Sequence, residues 1–345
     1  MKKTTKFLAL ALALVLCFGL AACGTSNNTP AQNNTNNTTP AKVEFPTKEI
    51  RFVDPWAAGG NTDLDGRMIA SIVQKNKLLE KEVVVTNITG ANTMNGLQAV
   101  MDADPDGHTL FLVHTAFLSS SVNGTVSITY NDLDPLYELS SQPFVLTLAK
   151  DNKLGLKTVQ DVVDYANAHP GEITIGYVNV GSTSHMAAAL FLQAVGIFDK
   201  VKQVPYSSGT DAITAHMAGD LIIRTGPSAD NARYITSGDM IPMAISCPSN
   251  NKLYEGVPSF SDFGANVTYA CHQGLFCRKE VPQEVRDIII KALDKAVADS
   301  EYKTFCETNG MDPTGISGTE LKTRWDNDYK VIEDLVKSGV LKSEK

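Results

Sequence analysis

From residue 48 onward the apolar positions fall into short β-branched runs, separated by stretches in which they recur every three or four residues. Residues 50–53 (IRFV) form the first run, and a Gly-containing turn, WAAGGN at 56–61, follows it. Thr62 or Asp63, good N-cap types, then opens a helix in which Leu64, Met68, Ile69, Ile72 and Val73 share one face. Runs at 83–86 and 109–113 predict two further strands, with a helix around 94–102 and a strong DPDG turn at 104–107 between them. A second series starts near Pro143, with strands at 144–148, 173–178, 202–204 and 221–223. Its helices are a Thr158-capped one ending near His169, one from about 184 to 195, and another between the last two strands. The final third is helical, over 283–299 and 319–338, with Leu321, Trp325, Tyr329 and Ile332 on one face of the last helix. Strand–helix alternation of this kind predicts α/β layers on a largely parallel sheet.

The first residues break this pattern. Lys2, Lys3 and Lys6 precede an apolar run from 7 to 20, too short for a membrane span but suited to a secretory leader. It ends in LAAC at 20–23, which resembles a bacterial lipobox and makes Cys23 the lipidated residue; an ordinary small-residue cleavage site is the rival reading. Residues 24–41, rich in Asn, Thr, Ser and Pro, bury too little apolar area to offset their chain entropy and read as a disordered tether. The expected parts are therefore a signal peptide (1–22), a lipidated Cys and linker (23–44), and a head of roughly 300 residues, enough for two domains.

The 30 Lys and Arg against 38 Asp and Glu give a formal charge of −8, and loss of Lys2, Lys3 and Lys6 with the leader takes it to −11. No basic run exists, which argues against nucleic acid as a partner. An anionic ligand would have to be held by local donors, since long-range attraction is of the wrong sign. Cys247, Cys271, Cys277 and Cys306 remain in the head; they can pair as disulfides or serve as small apolar residues, and no zinc spacing is present. No G-x-S-x-G, H-E-x-x-H, Walker or G-x-G-x-x-G pattern occurs, so the chain is not expected to be an enzyme or to carry a cofactor or metal. Neither tandem repeats nor an extended β pattern support a structural surface protein.

Two loops carry candidate chemistry. Ala58-Gly59-Gly60-Asn61-Thr62-Asp63 and Gly181-Ser182-Thr183-Ser184-His185 each run from an apolar strand through small residues into a helix start. The first N–H groups of a helix lack intrahelical partners and carry the positive end of its dipole, so such starts accept carboxylate or phosphate. The bland reading is that both are ordinary strand-to-helix turns.

Five stretches in fixed order resemble the substrate-binding receptors of the tripartite tricarboxylate transporter family, also called Bug proteins. They are FPTKEIRFVDPWAAGGNTD (45–63), DPDGHTLFL (104–112), VGSTSHMAAALF (180–191), VPYSSGTDAITAHMAGD (204–220) and GVPSFSDFG (256–264). The resemblance implies a type II periplasmic-binding-protein-like fold: domain 1 from 45–141 plus 270–345, domain 2 from 142–269, and two crossover strands near 142–148 and 269–276. It implies an extracytoplasmic, lipid-anchored monomer that binds a small carboxylate for the membrane subunits of such a transporter. A binding protein of an ATP-driven importer is the alternative. Carried onto this chain, the ligand-binding residues are Ala58, Gly59, Gly60, Asn61, Thr62 and Asp63 on the first loop and Gly181, Thr183, Ser184 and His185 on the second. His114 and Thr115 line the same cleft, Tyr206 joins them, and Trp56 is either a floor under the ligand or interdomain core. Asp63 reads as a cap that orients its loop, and His185 as a ligand donor or a simple cap.

The family often has a stretch like VDVMFDN where this chain has Leu221-Ile222-Ile223-Arg224-Thr225-Gly226-Pro227. Both acidic positions are gone, which argues against an amino acid as ligand. Arg224 suits a second carboxylate through two parallel N–H···O bonds; pairing with Asp211 or Asp220 is the alternative.

Overall fold

A computed structural model describes residues 43–124, 126–265 and 268–339. The leader, Cys23 and the tether lie outside the described residues, as does the linker apart from Val43 and Glu44. The described residues from Val43 on form a single compact unit.

The strands expected in the first series form at Ile50–Asp54 (β1), Val83–Asn87 (β2) and Thr109–His114 (β3), with helices Asn61–Lys75 (α1), Met94–Met101 (α2) and Ala116–Val122 (α3). β1 pairs in parallel with β2 and β3. α1 lies on this sheet through Ile69, Ala70, Ile72 and Val73, each of the larger ones contributing roughly 1.5–3 kcal/mol by burial. Contact is close enough that a Cβ on Gly66 would sit 2.3 Å from Leu112 Cδ2, which explains a glycine in the middle of the helix. Beside it Asp65 is fully buried, accepting hydrogen bonds from Ser140 Oγ and Tyr302 Oη at 2.7 Å each. Burial moves its pKa up to about 6.

The structure departs from the expected parallel sheet at its centre. The strand expected at 144–148 is the far end of a 17-residue strand, Leu133–Ala149 (β4). Its first half pairs antiparallel with Ala270–Arg278 (β9) and Asp312–Ser317 (β10). Its second half pairs antiparallel with Ile223–Pro227 (β7) and Met240–Ile245 (β8). Thr174–Val178 (β5) joins β7 and Lys202–Tyr206 (β6) in parallel. Each wing is thus parallel and the middle antiparallel, and β4 is buried from Leu136 to its last residue, polar side chains included. β9 lies between β3 and β4.

Helices Val159–Ala168 (α4), Thr183–Ala194 (α5), Gly209–Met217 (α6) and Ser228–Thr236 (α7) belong to the second series. The helix expected over 283–299 is Gln283–Ala298 (α8), followed at once by Ser300–Thr308 (α9), which Asp299 caps by accepting from Glu301 N. Gly318–Ser338 (α10) is the last described helix, with Trp325 fully buried. Cys247, Cys271, Cys277 and Cys306 are free and buried, so among the described residues these thiols are not paired as disulfides.

The β4/β9 ribbon has two faces with different duties. Gln142, Cys271 and Gln273 line one cavity, whereas Ser141 and His272 line another, of about 700 Å³, on the opposite face. In the second cavity His272 Nδ1 lies 3.2 Å from Glu138 and its Nε2 lies 3.4 Å from Asp328 of α10. Arg324 also reaches Glu138, at 2.9 Å. Burial pushes the Asp328 carboxyl up to about 7. A raised carboxyl favours the folded state fully below its ordinary range near 4, and that contribution is lost as pH climbs through 7. Asp328→Asn should therefore be more stable than wild type at pH 8, by roughly 1–2 kcal/mol, with the excess shrinking toward pH 5. Melting curves of both proteins across this range check it; a constant offset would reject it.

Candidate functional site

The 14 residues around a cavity of about 240 Å³ come from both wings of the sheet. From the β1–α1 side come Asp54, Trp56, Ala57, Gly60, Asn61, Thr62 and Asp63, with His114 from the end of β3. The ribbon supplies Gln142, Cys271 and Gln273, and the second series supplies Thr183, Pro227 and Asp230.

α1 begins beside this cavity with Gly60 at its N-cap, in extended geometry and with no side-chain cap. Its first amides therefore meet no capping side chain. Loop shape is set from behind: Asp63 Oδ2 accepts from Gly59 N at 2.9 Å, and Arg67 Nε holds both carboxylate oxygens at 3.0 Å. Burial works against the Asp63 charge, but Arg67 and the Gly59 amide outweigh it and keep its pKa below the ordinary value. Gly59, at φ +84°, makes the left-handed bend that turns the chain into the helix.

The second loop is arranged differently. Ser182 caps α5 itself, its Oγ accepting from His185 N at 3.2 Å and donating to Val178 O. Ser184 Oγ accepts from Val178 N at 3.0 Å. His185 is buried, stacks on Tyr177 at 4.2 Å, accepts from Gly181 N through Nδ1 at 3.0 Å, and meets Gln203 Oε1 through Nε2 at 3.2 Å. Burial lowers its pKa to about 4, so the ring is neutral and fixes the loop from inside. Of this loop, only Thr183 lines the cavity.

Trp56 and His114 stack at 3.9 Å and form one wall. His114 Nδ1 accepts from Ala116 N at 3.2 Å, which leaves the proton of the neutral ring on Nε2. Burial lowers its pKa to about 4. Asp54, fully buried, accepts from Trp56 N at 2.9 Å and from Asn87 Nδ2 at 3.3 Å, and burial raises its pKa to about 7.

Seven of the residues expected from sequence meet here: Trp56, Gly60, Asn61, Thr62, Asp63, His114 and Thr183. Ala58 and Gly59 shape the loop without lining the cavity, and Gly181, Ser184 and His185 lie behind Thr183. Thr115 is buried and donates to Ala270 O at 3.2 Å, and Tyr206, at the end of β6, does not line the cavity. Arg224 is buried under the cavity floor rather than in its wall. It pairs with neither Asp211 nor Asp220: its guanidinium donates to Asp230 Oδ2 at 2.9 Å and to Asn231 Oδ1. Asp230 Oδ1 in turn accepts from Asn61 Nδ2 at 3.0 Å, joining α7 to the start of α1.

Asp54, Gln142, Asp230, Cys271 and Gln273 were missed by sequence reasoning. Period-2 alternation along the ribbon would have found Cys271 and Gln273 together, since residues two apart share a strand face. Asp54 sits inside the quoted FVDPW segment.

Taken together, a mixed sheet with parallel wings, a long strand passing between them and a small cavity at two helix starts describe a solute-binding α/β fold. The chain matches the family described as "Tripartite tricarboxylate transporter family receptor" over residues 67–338, and it belongs to that family. It is 26% identical over 258 residues to the "UPF0065 protein in gbd 5'region" of Cupriavidus necator, covering 73% of this chain and 76% of that one. A TctC solute-binding protein from Polaromonas superposes with a TM-score of 0.73 at 24% identity, covering 86% of this chain and all of that one. MatC from Rhodopseudomonas palustris, solved with bound malate, superposes at 0.67 with 21% identity over 85% of this chain and 100% of its own. Among the described residues no helix is long and apolar enough to cross a membrane.

Proposed function

We propose that the head captures a small carboxylate-bearing solute in the 240 Å³ cavity and delivers it to the membrane subunits of a tripartite secondary transporter. The observation that carries this is the open start of α1: backbone donors with no side-chain cap, at the positive end of a 15-residue helix, bordering a cavity walled from both wings. The malate held by MatC supports the ligand class. Gly60, Asn61 and Thr62 would hold the carboxylate, with the Trp56–His114 stack against its carbon skeleton and Thr183 opposite.

In this reading residues 45–141 with 270–345 form one lobe and 142–269 the other, closing over the solute, and Cys23 carries the lipid that keeps a monomeric receptor at the outer face of the cell membrane. Cys271 lines the cavity as a thiol whose pKa burial pushes up to about 12.

Isothermal titration of the unlipidated head with mono-, di- and tricarboxylates should show one saturable site for at least one of them. Silence from every carboxylate, with clear binding of a neutral sugar, would reject the reading.

A further inference from the structure

The larger cavity, of about 700 Å³ on the far face of the β4/β9 ribbon, has no part in carboxylate capture. Its floor is buried and polar: Ser141 on β4, His272 on β9 and Asp328 on α10 are 7%, 5% and 3% exposed. Asp328 Oδ2 is sealed 3.4 Å from His272 Nε2 and has no hydrogen bond. Asp328 Oδ1 and Ser141 Oγ are not sealed, and among the described residues neither has a hydrogen-bond partner. Two unpaired oxygens on nine-tenths-buried side chains, from different elements, thus border one chamber. Groups left in that state are costly, and a donor from outside relieves both.

Charge decides which donor. His272 Nδ1 and Arg324 Nη1 both turn to the fully buried Glu138, at 3.2 and 2.9 Å. Burial works against the His272 charge, but Glu138 and Asp328 outweigh it and raise its pKa. These two cations stand against four carboxylates, Glu138 behind the wall and Asp312, Glu320 and Asp328 in it. Asp312 is held only by neutral donors, Ser249 Oγ at 2.7 Å and Asn250 N at 2.9 Å, so its charge is not offset. An anion drawn to Arg324 would lie between Glu320 and Asp328, one helical turn to either side. A cation meets the opposite field, and the chain's net charge of −8 favours its approach. Pro313 and Ile316 of β10 add an apolar wall.

We infer that this cavity is a second ligand site, taking a small primary alkylammonium that donates to Asp328 Oδ1 and Ser141 Oγ and lays its carbon chain against Pro313 and Ile316. The site is separate from the solute cavity, because Ser141 and His272 face away from their neighbours Gln142, Cys271 and Gln273. Its pH dependence follows from Asp328, which His272 on β9, Glu138 on β4 and Arg324 on α10 surround. Tyr130, Cys247, Tyr269 and Cys271, within reach of the same charge, are held protonated by burial. With a pKa of about 7, Asp328 is ionised at pH 8 and protonated at pH 5.5, so the ammonium loses its partner as pH falls.

The test titrates the head at pH 8 with butylamine, tetramethylammonium and 1-butanol. Butylamine should bind at one saturable site, 10-fold or more tighter than tetramethylammonium, which has the charge without N–H donors, and than the uncharged alcohol. Its affinity should fall at least 10-fold in Asp328→Asn, at least 3-fold in Ser141→Ala, and at least 5-fold in wild type on going to pH 5.5. Circular dichroism confirms that both variants fold. Lack of saturable butylamine binding overturns the inference, as does equal binding of tetramethylammonium or of the alcohol. Full affinity in both variants places the amine elsewhere and overturns it too.

Discussion

Gly60→Val is expected to reduce carboxylate affinity by 100-fold or more while leaving the melting temperature within a few degrees of wild type. Gly60 has φ −74° and ψ 165°, an extended conformation that a β-branched residue adopts without strain. A Cβ at this position would meet only Ala57 O, at 3.4 Å, so the fold has room for it. The two γ-methyls, however, would stand at the cavity wall beside the first amides of α1 and keep an anion from reaching them. Loss of contact with those charge-assisted donors costs about 1.5–3 kcal/mol per bond, and two such bonds give the stated factor. Titration and melting of the one variant decide the matter. Unchanged affinity would remove the start of α1 from the site; a collapsed melting point would show a structural role for the glycine.

The second large effect concerns stability. Arg224→Ala should cost about 3 kcal/mol or more in chemical denaturation, whether or not solute is present. The guanidinium is 1% exposed and holds Asp230 and Asn231, so its removal strands a partly buried carboxylate and leaves a void beside Gly226. Arg224→Met combined with Asp230→Asn, which removes both charges and refills the space, should recover most of the loss. Failure of the double variant to recover would mean that the charged pair is itself net stabilising, rather than costly only when one partner is stranded. A loss under 1 kcal/mol for Arg224→Ala would show the ion pair to be energetically idle.

Arg224 also shows where reading the sequence reaches its limit. Its arrival and the loss of the acidic positions were visible, and two parallel hydrogen bonds to a carboxylate were a fair expectation. The carboxylate turned out to belong to the protein. Asp230 lies at the start of α7, a helix with no side-chain N-cap that sequence periodicity did not reveal, and only the β7–α7 turn brings it over the guanidinium. The loop before α1 was legible because its chemistry is local: small residues, a helix start, and an Asp that orients the loop. The loop before α5 has the same composition and a different outcome, since Ser182 folds back as a cap and His185 turns inward to Gly181 and Gln203. Which of two rotamers a serine takes is decided by packing that composition does not encode. The strand–helix order was likewise readable, but the length of β4 was not: its first half contains Pro135, Glu138 and Gln142, which mask a strand that only a charged cluster and two neighbouring strands make buriable.

The alternation of the β4/β9 ribbon separates two properties that most proteins keep entangled. Positions 271 and 273 line the cavity proposed for the solute, while position 272, between them, faces Glu138 and, on the last described helix, Asp328. Changes in taste for a new solute can therefore accumulate on one side of a single strand without loosening the scaffold on the other, which gives a receptor of this build a short mutational road to new specificities.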